Sequence, residues 1–391
     1  METKAINTKL KGHARVDVAD VLRGLAVMGI IILHSIEHFN FYSFPDTAGQ
    51  SAWLNFSDKA IWNGLFFMFG GKAYAIFALL FGFSFFIQDD NQRLRGNDFR
   101  LRFCWRLILL FLIGNINASF FTAEVLVLYS LVGFILPLTC RLKDKWMACL
   151  LLIQPLPLYY VIRACLDPEF VTPAIPTRSF WNATFAVQSN GNFLETIRVN
   201  LWEGQLASLA WAWDHGRVFQ TAALFLLGML IGRKGLFLKE HLKVWNKVLA
   251  GSLISFFPLY GLGNMLPDFI TNKSILTPLS LIITSLSNFA FMLILVSGVV
   301  FAFYKTNLHD GLMKITPYGK MSLTNYITQS IVGSMLYYNW GFALHNQFGI
   351  TASCLAGIVF FILQFSFCRW WMNHHSHGPM EYIWKRATWL K

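Results

Sequence analysis

Apolar residues along this chain fall in blocks separated by short polar segments. Each block is close to the ~20 residues that an α-helix needs to cross the hydrocarbon core of a bilayer. The pattern predicts helices over 18–36, 60–88, 102–120, 122–140, 145–163, 218–233, 244–262, 277–304, 321–340 and 350–371, about ten in all. No internal repeat and no low-complexity tract interrupts them. The expected fold is an all-α polytopic membrane domain over residues 1–391, with one long extracytoplasmic loop at 164–217.

Composition agrees with that reading. The chain is 55% hydrophobic and only 13% charged, roughly half the ~25% charged fraction of a soluble domain. Its net charge of +12 is not the footprint of a nucleic-acid partner, because the basic residues sit in short loops beside the apolar blocks. There they set orientation and touch anionic lipid head groups. Lys4, Lys9, Lys11 and Arg15 precede the first block. Arg93, Arg95 and Arg100 follow the second, Arg141, Lys143 and Lys145 the fourth, and Arg233, Lys234, Lys239 and Lys243 the sixth. Lys305, Lys314 and Lys320 follow the eighth, and Lys385, Arg386 and Lys391 end the chain. All these clusters fall on one side, which predicts cytoplasmic termini. Glu37, Asp46 and Asp58 fall on the other. The first block lacks a small-residue cleavage pattern after it, so a retained helix is expected rather than a signal peptide. Cys104, Cys140, Cys149, Cys165, Cys354 and Cys368 show no paired spacing and read as packing residues.

Candidate chemistry begins in the first block, where Asp20, Arg23, His34, Glu37 and His38 lie at or near membrane depth. Ionisable groups there are costly and need partners, water or a function. Arg23 and His34 are eleven positions apart, close to three helical turns, so they share a face about 16 Å apart along the axis. His34 can take a proton from a hydroxyl or amine near neutral pH, with Glu37 or Glu124 to orient it; the bland alternative is a histidine bonded between helices. Residues 34–38, His-Ser-Ile-Glu-His, also match the H-x-x-E-H pattern of one class of zinc peptidases. No third ligand pattern accompanies the match, so no metal is expected.

The second block is long for one straight span, and Gly70-Gly71 interrupts it just before Lys72. A break there would set a fresh helix N-terminus beside an ammonium, an anion site in principle. A tilted helix with Lys72 paired to Glu124 is the structural alternative. The third block carries Arg102 and Arg106 at its cytoplasmic end, suited to coenzyme phosphates or to snorkelling toward lipid. Asn117 and Glu124 flank a turn on the side of His34. In the ninth block Ser322, Asn325 and Gln329 form one polar face, either interhelical glue or the lining of a path. The long loop holds Trp181, Trp202, Trp211 and Trp213 with Asp214, His215 and Arg217. That mixture suits a sugar-like acceptor, or an interfacial aromatic belt.

Several stretches carry a family resemblance: VADVLRGLAVMGII, GGKAYAIFALLFGFSFF, RLILLFLIGNINA with EVLVLYSLVGFILPL, FLLGMLIGR, GKMSLTNYITQSI and GPMEYIWKRATW. In this order they resemble the YeiB-like family of bacterial integral membrane proteins, most without an assigned function. That family is in turn distantly similar to the transmembrane acyltransferases, whose signature is Arg-x10-His on the first helix, the spacing of Arg23 and His34 here. Where the family often has His and Asp at the turn between the third and fourth helices, this chain has Asn117 and Glu124.

The resemblance implies a multi-pass protein of the bacterial inner membrane that moves an acyl group, usually acetyl, from cytosolic acyl-CoA to a small extracytoplasmic acceptor. The coenzyme would lie near Arg23, Arg102, Arg106 and Lys72. His34 would be the base, assisted by Glu37, His38 or Glu124. His38, Asn117, Trp202, Trp211, Asp214, Asn325 and Gln329 would hold the acceptor. No Ser or Cys nucleophile comes with a matched base, so direct transfer is expected rather than an acyl-enzyme. Membrane lipids and a small-molecule acceptor are the expected partners. The rival reading is a transporter or exporter of a small anionic or acylated molecule, since a broken helix and a mid-membrane lysine also suit passage.

Overall fold

The computed structural model describes residues 16–42, 44, 49–142, 151–167, 169–173 and 175–389. Lys4, Lys9, Lys11, Arg15, Asp46, Lys143, Lys145, Cys149 and Lys391, used above for orientation and cysteine chemistry, lie outside the described residues, as does the start of the block at 145–163. Among the described residues every regular element is helical. The α-helices are α1 (Asp17–Ile36), α2 (Ala52–Phe69), α3 (Lys72–Arg93), α4 (Arg100–Ala118), α5 (Val125–Val132) and α6 (Ile135–Thr139). They continue with α7 (Pro155–Leu166), α8 (Thr177–Asn190), α9 (Phe193–Val199), α10 (Gln205–Asp214), α11 (Arg217–Lys234) and α12 (Leu242–Phe269). The last are α13 (Lys273–Lys305), α14 (His309–Met313), α15 (Thr316–Lys320), α16 (Ser322–Tyr337), α17 (Ile350–His374) and α18 (Pro379–Trp389).

This is the all-helical polytopic membrane architecture that the hydropathy pattern predicts. Among the described residues six helical segments are long and apolar enough to cross a bilayer: α1, Ala52–Arg93, α4, Lys239–Phe269, α13 and α17. A seventh is added if Phe193–Asp214 and α11, bent by 73° at their junction, make one broken span. The about ten blocks read from sequence thus divide into full-length spans and shorter helices. The block at 122–140 splits at Gly133 and Phe134 into α5 and α6. The block at 321–340 becomes the 16-residue α16, most of which is buried. These shorter pieces pack against protein, so they need neither the length nor the apolarity of a lipid-facing span.

Helix α1 is the most enclosed of the six spans, and the segment containing α12 the least. Around α1 stand α3, α15, α16 and α17. Helix α3 packs along α11, and two glycines make that approach close. A Cβ on Gly82 would strike the backbone of Phe225, and one on Gly228 the carbonyl oxygen of Leu79. Small residues at such crossings let backbones meet in a membrane interior. Helices α12 and α13 pack as a pair, with α12 outermost and α13 against α3 and α7, and α18 lies against α4 and α16. The interruption expected at Gly70-Gly71 is present: α2 ends at Phe69, Gly71 takes φ +72°, and α3 starts at Lys72.

Candidate functional site at the end of α1

Helix α1 stops at Ile36, so Glu37 and His38 lie in the turn beyond it. In that turn Phe41 and Tyr42 hold φ of +56° and +53°, a left-handed conformation that costs non-glycine residues energy. The strained turn folds Tyr42 back over the helix end. Its hydroxyl donates to Glu37 Oε2 at 3.3 Å and lies 3.5 Å from His38 Nε2. His38 Nδ1 approaches Glu37 Oε1 to 2.8 Å, an ion-pair distance without hydrogen-bond alignment.

His34, partly buried, faces the same space. Its ring centroid is 5.1 Å from that of His38, edge-on, and 4.8 Å from that of Phe121. Phe121 sits in the turn after α4 and also touches His38 and Phe39. Trp181 of α8 comes within 6.4 Å of His38. The amide of Gln329, from α16, places Nε2 3.4 Å from His34 Nδ1, and Gln329 Oε1 is buried without a partner. The two amide orientations have the same shape. Turned over, Oε1 accepts Nδ1–H of His34 and satisfies itself. That tautomer leaves His34 Nε2 with a free lone pair, the form a general base requires.

One ligand atom each from His34, Glu37 and His38 comes within a common 4.8 Å, close enough in principle to share a metal ion. No fourth His, Cys, Asp or Glu joins them among the described residues, so the set would leave an open position. The H-x-x-E-H spacing therefore does converge, although through a turn rather than along one helix face.

The remaining candidates divide between this cluster and other places. Glu124 is buried and caps α5, accepting from Leu126 N at 2.5 Å and from Asn117 Nδ2. The Tyr326 hydroxyl accepts from Val125 N. Glu124 and Asn117 thus sit one turn along α16 from Gln329, and no hydrogen bond joins either to His34. Asn325 turns the other way, donating to the Tyr318 carbonyl at 3.0 Å and accepting from Cys368 Sγ. Trp202 projects outward at 69% exposure. Trp211 stacks on His215, with ring centroids 4.6 Å apart, and Asp214 accepts from Thr177 Oγ1 at 2.6 Å; neither touches the His34 cluster.

The basic candidates have partners of several kinds. Arg23 pairs with Asp20 at 2.6 Å and donates to Ser84 Oγ at 2.9 Å, so it engages α3 whereas His34 engages α16. Arg102 donates to the Thr388 carbonyl at 3.0 Å and lies 5.3 Å from the Trp389 ring. Arg106 lies 3.6 Å over the Trp384 ring. Both arginines therefore dock α18 onto α4. Lys72 is buried over the rings of Phe67 and Phe291, at 5.8 and 5.6 Å, and no ion pair joins it to Glu124. Tyr42, Phe121 and Tyr326 were not legible as site residues. Each is an aromatic in an aromatic-rich chain, and only its tertiary position distinguishes it.

Residues 231–391 match a family described as "Protein of unknown function (DUF418)". Over nearly its whole length the chain is similar to uncharacterized protein YxaH of Bacillus subtilis (strain 168), 25% identical across 97% of this chain and 95% of that one. It is also 25% identical to uncharacterized protein YeiB of Escherichia coli (strain K12), across 94% of this chain and 95% of that one. The likeness to YeiB thus runs along nearly the full length of both chains. A third relative, an uncharacterized 39.9 kDa protein in the amylase 3'region of Bacillus acidopullulyticus, is 22% identical across 96% of this chain and 94% of its own. No solved structure matches this chain. None of the relatives' names states an activity.

Proposed function

We propose that this YeiB-like chain is a multi-pass acyltransferase of the bacterial inner membrane, with cytoplasmic termini. It would move an acetyl or similar acyl group from cytosolic acyl-CoA to a small extracytoplasmic acceptor, a sugar, a lipid or another hydroxyl or amine. The observation that carries the reading is His34, an imidazole held on one side by Gln329 and ringed by Phe121 and His38. It stands eleven residues along α1 from Arg23. As the acceptor oxygen attacks the thioester carbonyl, His34 Nε2 takes its proton and the coenzyme leaves as thiolate, which is reprotonated from the imidazolium. Arg23 is assigned to the coenzyme phosphates, with Lys72 deeper in. Arg102 and Arg106 could join them only with α18 displaced. Glu37 and His38 border the acceptor, and Glu124 with Asn117 supports the wall behind it.

The test is calorimetric titration of the purified protein in detergent with acetyl-CoA, using Arg23→Ala as control. Micromolar binding lost in the variant supports the reading. No binding at millimolar coenzyme, in protein shown to be folded, overturns it.

A second reading, passage of a small anionic or acylated molecule, is favoured by the break between α2 and α3, since broken spans form midplane sites in transporters. Radiolabel that crosses proteoliposomes with no acceptor covalently modified would select it.

A further inference from the structure

Away from the His34 cluster, a cavity of about 690 Å³ opens between α7, residues 171–173 with Ile175, the first turn of α11 and the first half of α13. Its charge is one-sided. Among the described residues Arg217 and Lys273 line it against a single carboxylate, Asp214, whose Oδ2 already accepts from Thr177. Arg217 has no carboxylate at ion-pair distance among the described residues. Its Nη1 donates to Gln220 Oε1 at 2.6 Å. That bond leaves Gln220 Nε2, on a side chain only 1% exposed that lines the cavity, without any acceptor. A buried amide donor with no partner is costly unless something fills the place.

The broken helix adjoins this site. A Cβ placed on Gly71 would lie 3.0 Å from Asn288 Nδ2 and 3.3 Å from Arg217 Nη2, both on cavity-lining side chains. The N-terminus of α3, with its unpaired N–H groups, therefore stands beside Arg217. Lys72 brings a second buried cation, with no carboxylate partner among the described residues. Helix N-termini and cations together favour an anion. The remaining wall is apolar, from Leu156, Pro157, Tyr160, Ile175 and Leu281. The volume is far more than a bare inorganic ion fills.

We propose that this cavity binds the oxyanion group, carboxylate or phosphate, of a compact amphiphilic molecule, with Arg217, Gln220 Nε2 and Asn288 on the oxyanion and the apolar wall on the remainder. Lys72 alone is shared with the coenzyme reading of the His34 site, so the cavity stands or falls by the Gln220 variant, which that reading does not use.

The test titrates the full-length protein in uncharged detergent with octanoate, and with octyltrimethylammonium as the cation of the same chain length. Wild type should bind octanoate and not the cation. In Gln220→Glu the new carboxylate keeps the bond to Arg217 and places an acceptor where Nε2 was. Octanoate binding should weaken by roughly tenfold or more, the scale of a lost hydrogen bond to a charged group, at unchanged thermal stability. Lys72→Met should weaken it in the same direction. Equal affinity in wild type and Gln220→Glu, no binding of octanoate at millimolar concentration, or equal binding of the cation would overturn the proposal. A further arm repeats the octanoate titration in nanodiscs. Competition by phosphatidylglycerol but not phosphatidylcholine identifies a lipid head group as the natural oxyanion, and octanoate binding unaffected by either lipid identifies a free solute.

Discussion

Glu381 and Thr324 are joined twice across two helices. Glu381 Oε1 accepts from the Thr324 backbone N–H at 3.1 Å, and Oε2 accepts from Thr324 Oγ1 at 2.6 Å. The same Oε1 accepts from Leu323 N at 2.7 Å. The carboxylate of α18 thus caps the N-terminus of α16, the helix that carries Gln329. Both halves of this contact lie in stretches that carry the family resemblance, GKMSLTNYITQSI and GPMEYIWKRATW.

Removing that cap should destabilise the bundle end. Glu381→Ala strips acceptors from two orphan N–H groups and one hydroxyl, at a cost of about 2 kcal/mol. Glu381→Gln, which keeps one acceptor oxygen, should cost less. Thermal unfolding in detergent should rank wild type above Glu381→Gln and that above Glu381→Ala. Equal midpoints for all three would remove the cap from the account.

Helix α18 is held by its aromatic face as well. Trp384 lies under the Arg106 guanidinium and donates its indole N–H to the Arg106 carbonyl at 3.2 Å. Trp384→Ala should cost about 2–3 kcal/mol through lost packing, stacking and the hydrogen bond. Arg106→Gln should cost only about 1 kcal/mol. Limited proteolysis between α17 and α18 should speed up more in the tryptophan variant. An arginine variant that lost acetyl-CoA binding while α18 stayed protected would instead place Arg106 at the coenzyme.

These contacts show where sequence reading reached and where it stopped. The helical membrane class was legible because apolar block length is a local property. The break before Lys72 was legible because two adjacent glycines mark it. Arg102 and Arg106 read as phosphate ligands or as snorkelling cations, and nothing local says that Trp384 and Trp389 come back across the chain to meet them. Asn325 and Gln329 share a helix, yet Asn325 bonds to Tyr318 and Cys368 while Gln329 meets His34; spacing on one helix cannot choose between two neighbours. The cavity beside Arg217 was hidden for the same reason. Gln220 and Asn288 are uncharged polar residues within apolar blocks, and only packing brings Asn288 and the Arg217–Gln220 pair to the helix break at Gly71.

The crossing of α3 and α11 gives a prediction with an internal control. A Cβ on Gly228 meets the carbonyl oxygen of Leu79, backbone that cannot turn aside. Gly228→Ala should therefore destabilise by about 1–3 kcal/mol. At Gly251, in α12, a Cβ would have nothing within 4 Å. Gly251→Ala should be neutral or stabilising by up to ~1 kcal/mol, the helix-propensity difference. Unfolding midpoints that move the same way in both variants would contradict the close crossing.

The orientation of His34 by Gln329 is open to a direct kinetic test. If Gln329 Oε1 holds the Nδ1–H tautomer, Gln329→Leu leaves the imidazole free to turn and to take the wrong tautomer. Turnover in the proposed acetyl transfer should then fall about 10–100-fold, the usual cost of losing an orienting partner, with little change in KM. Gln329→Glu keeps an acceptor at that position and should retain most of the turnover. His34→Asn, which removes the base, should lose about 100–10,000-fold. The unfolding midpoints of all three should stay within a few degrees of wild type, because Gln329 and His34 share one long hydrogen bond of 3.4 Å. Full turnover in Gln329→Leu would mean that His34 is oriented by something else. Full turnover in His34→Asn would end the general-base assignment and leave the cluster as a packed interhelical contact.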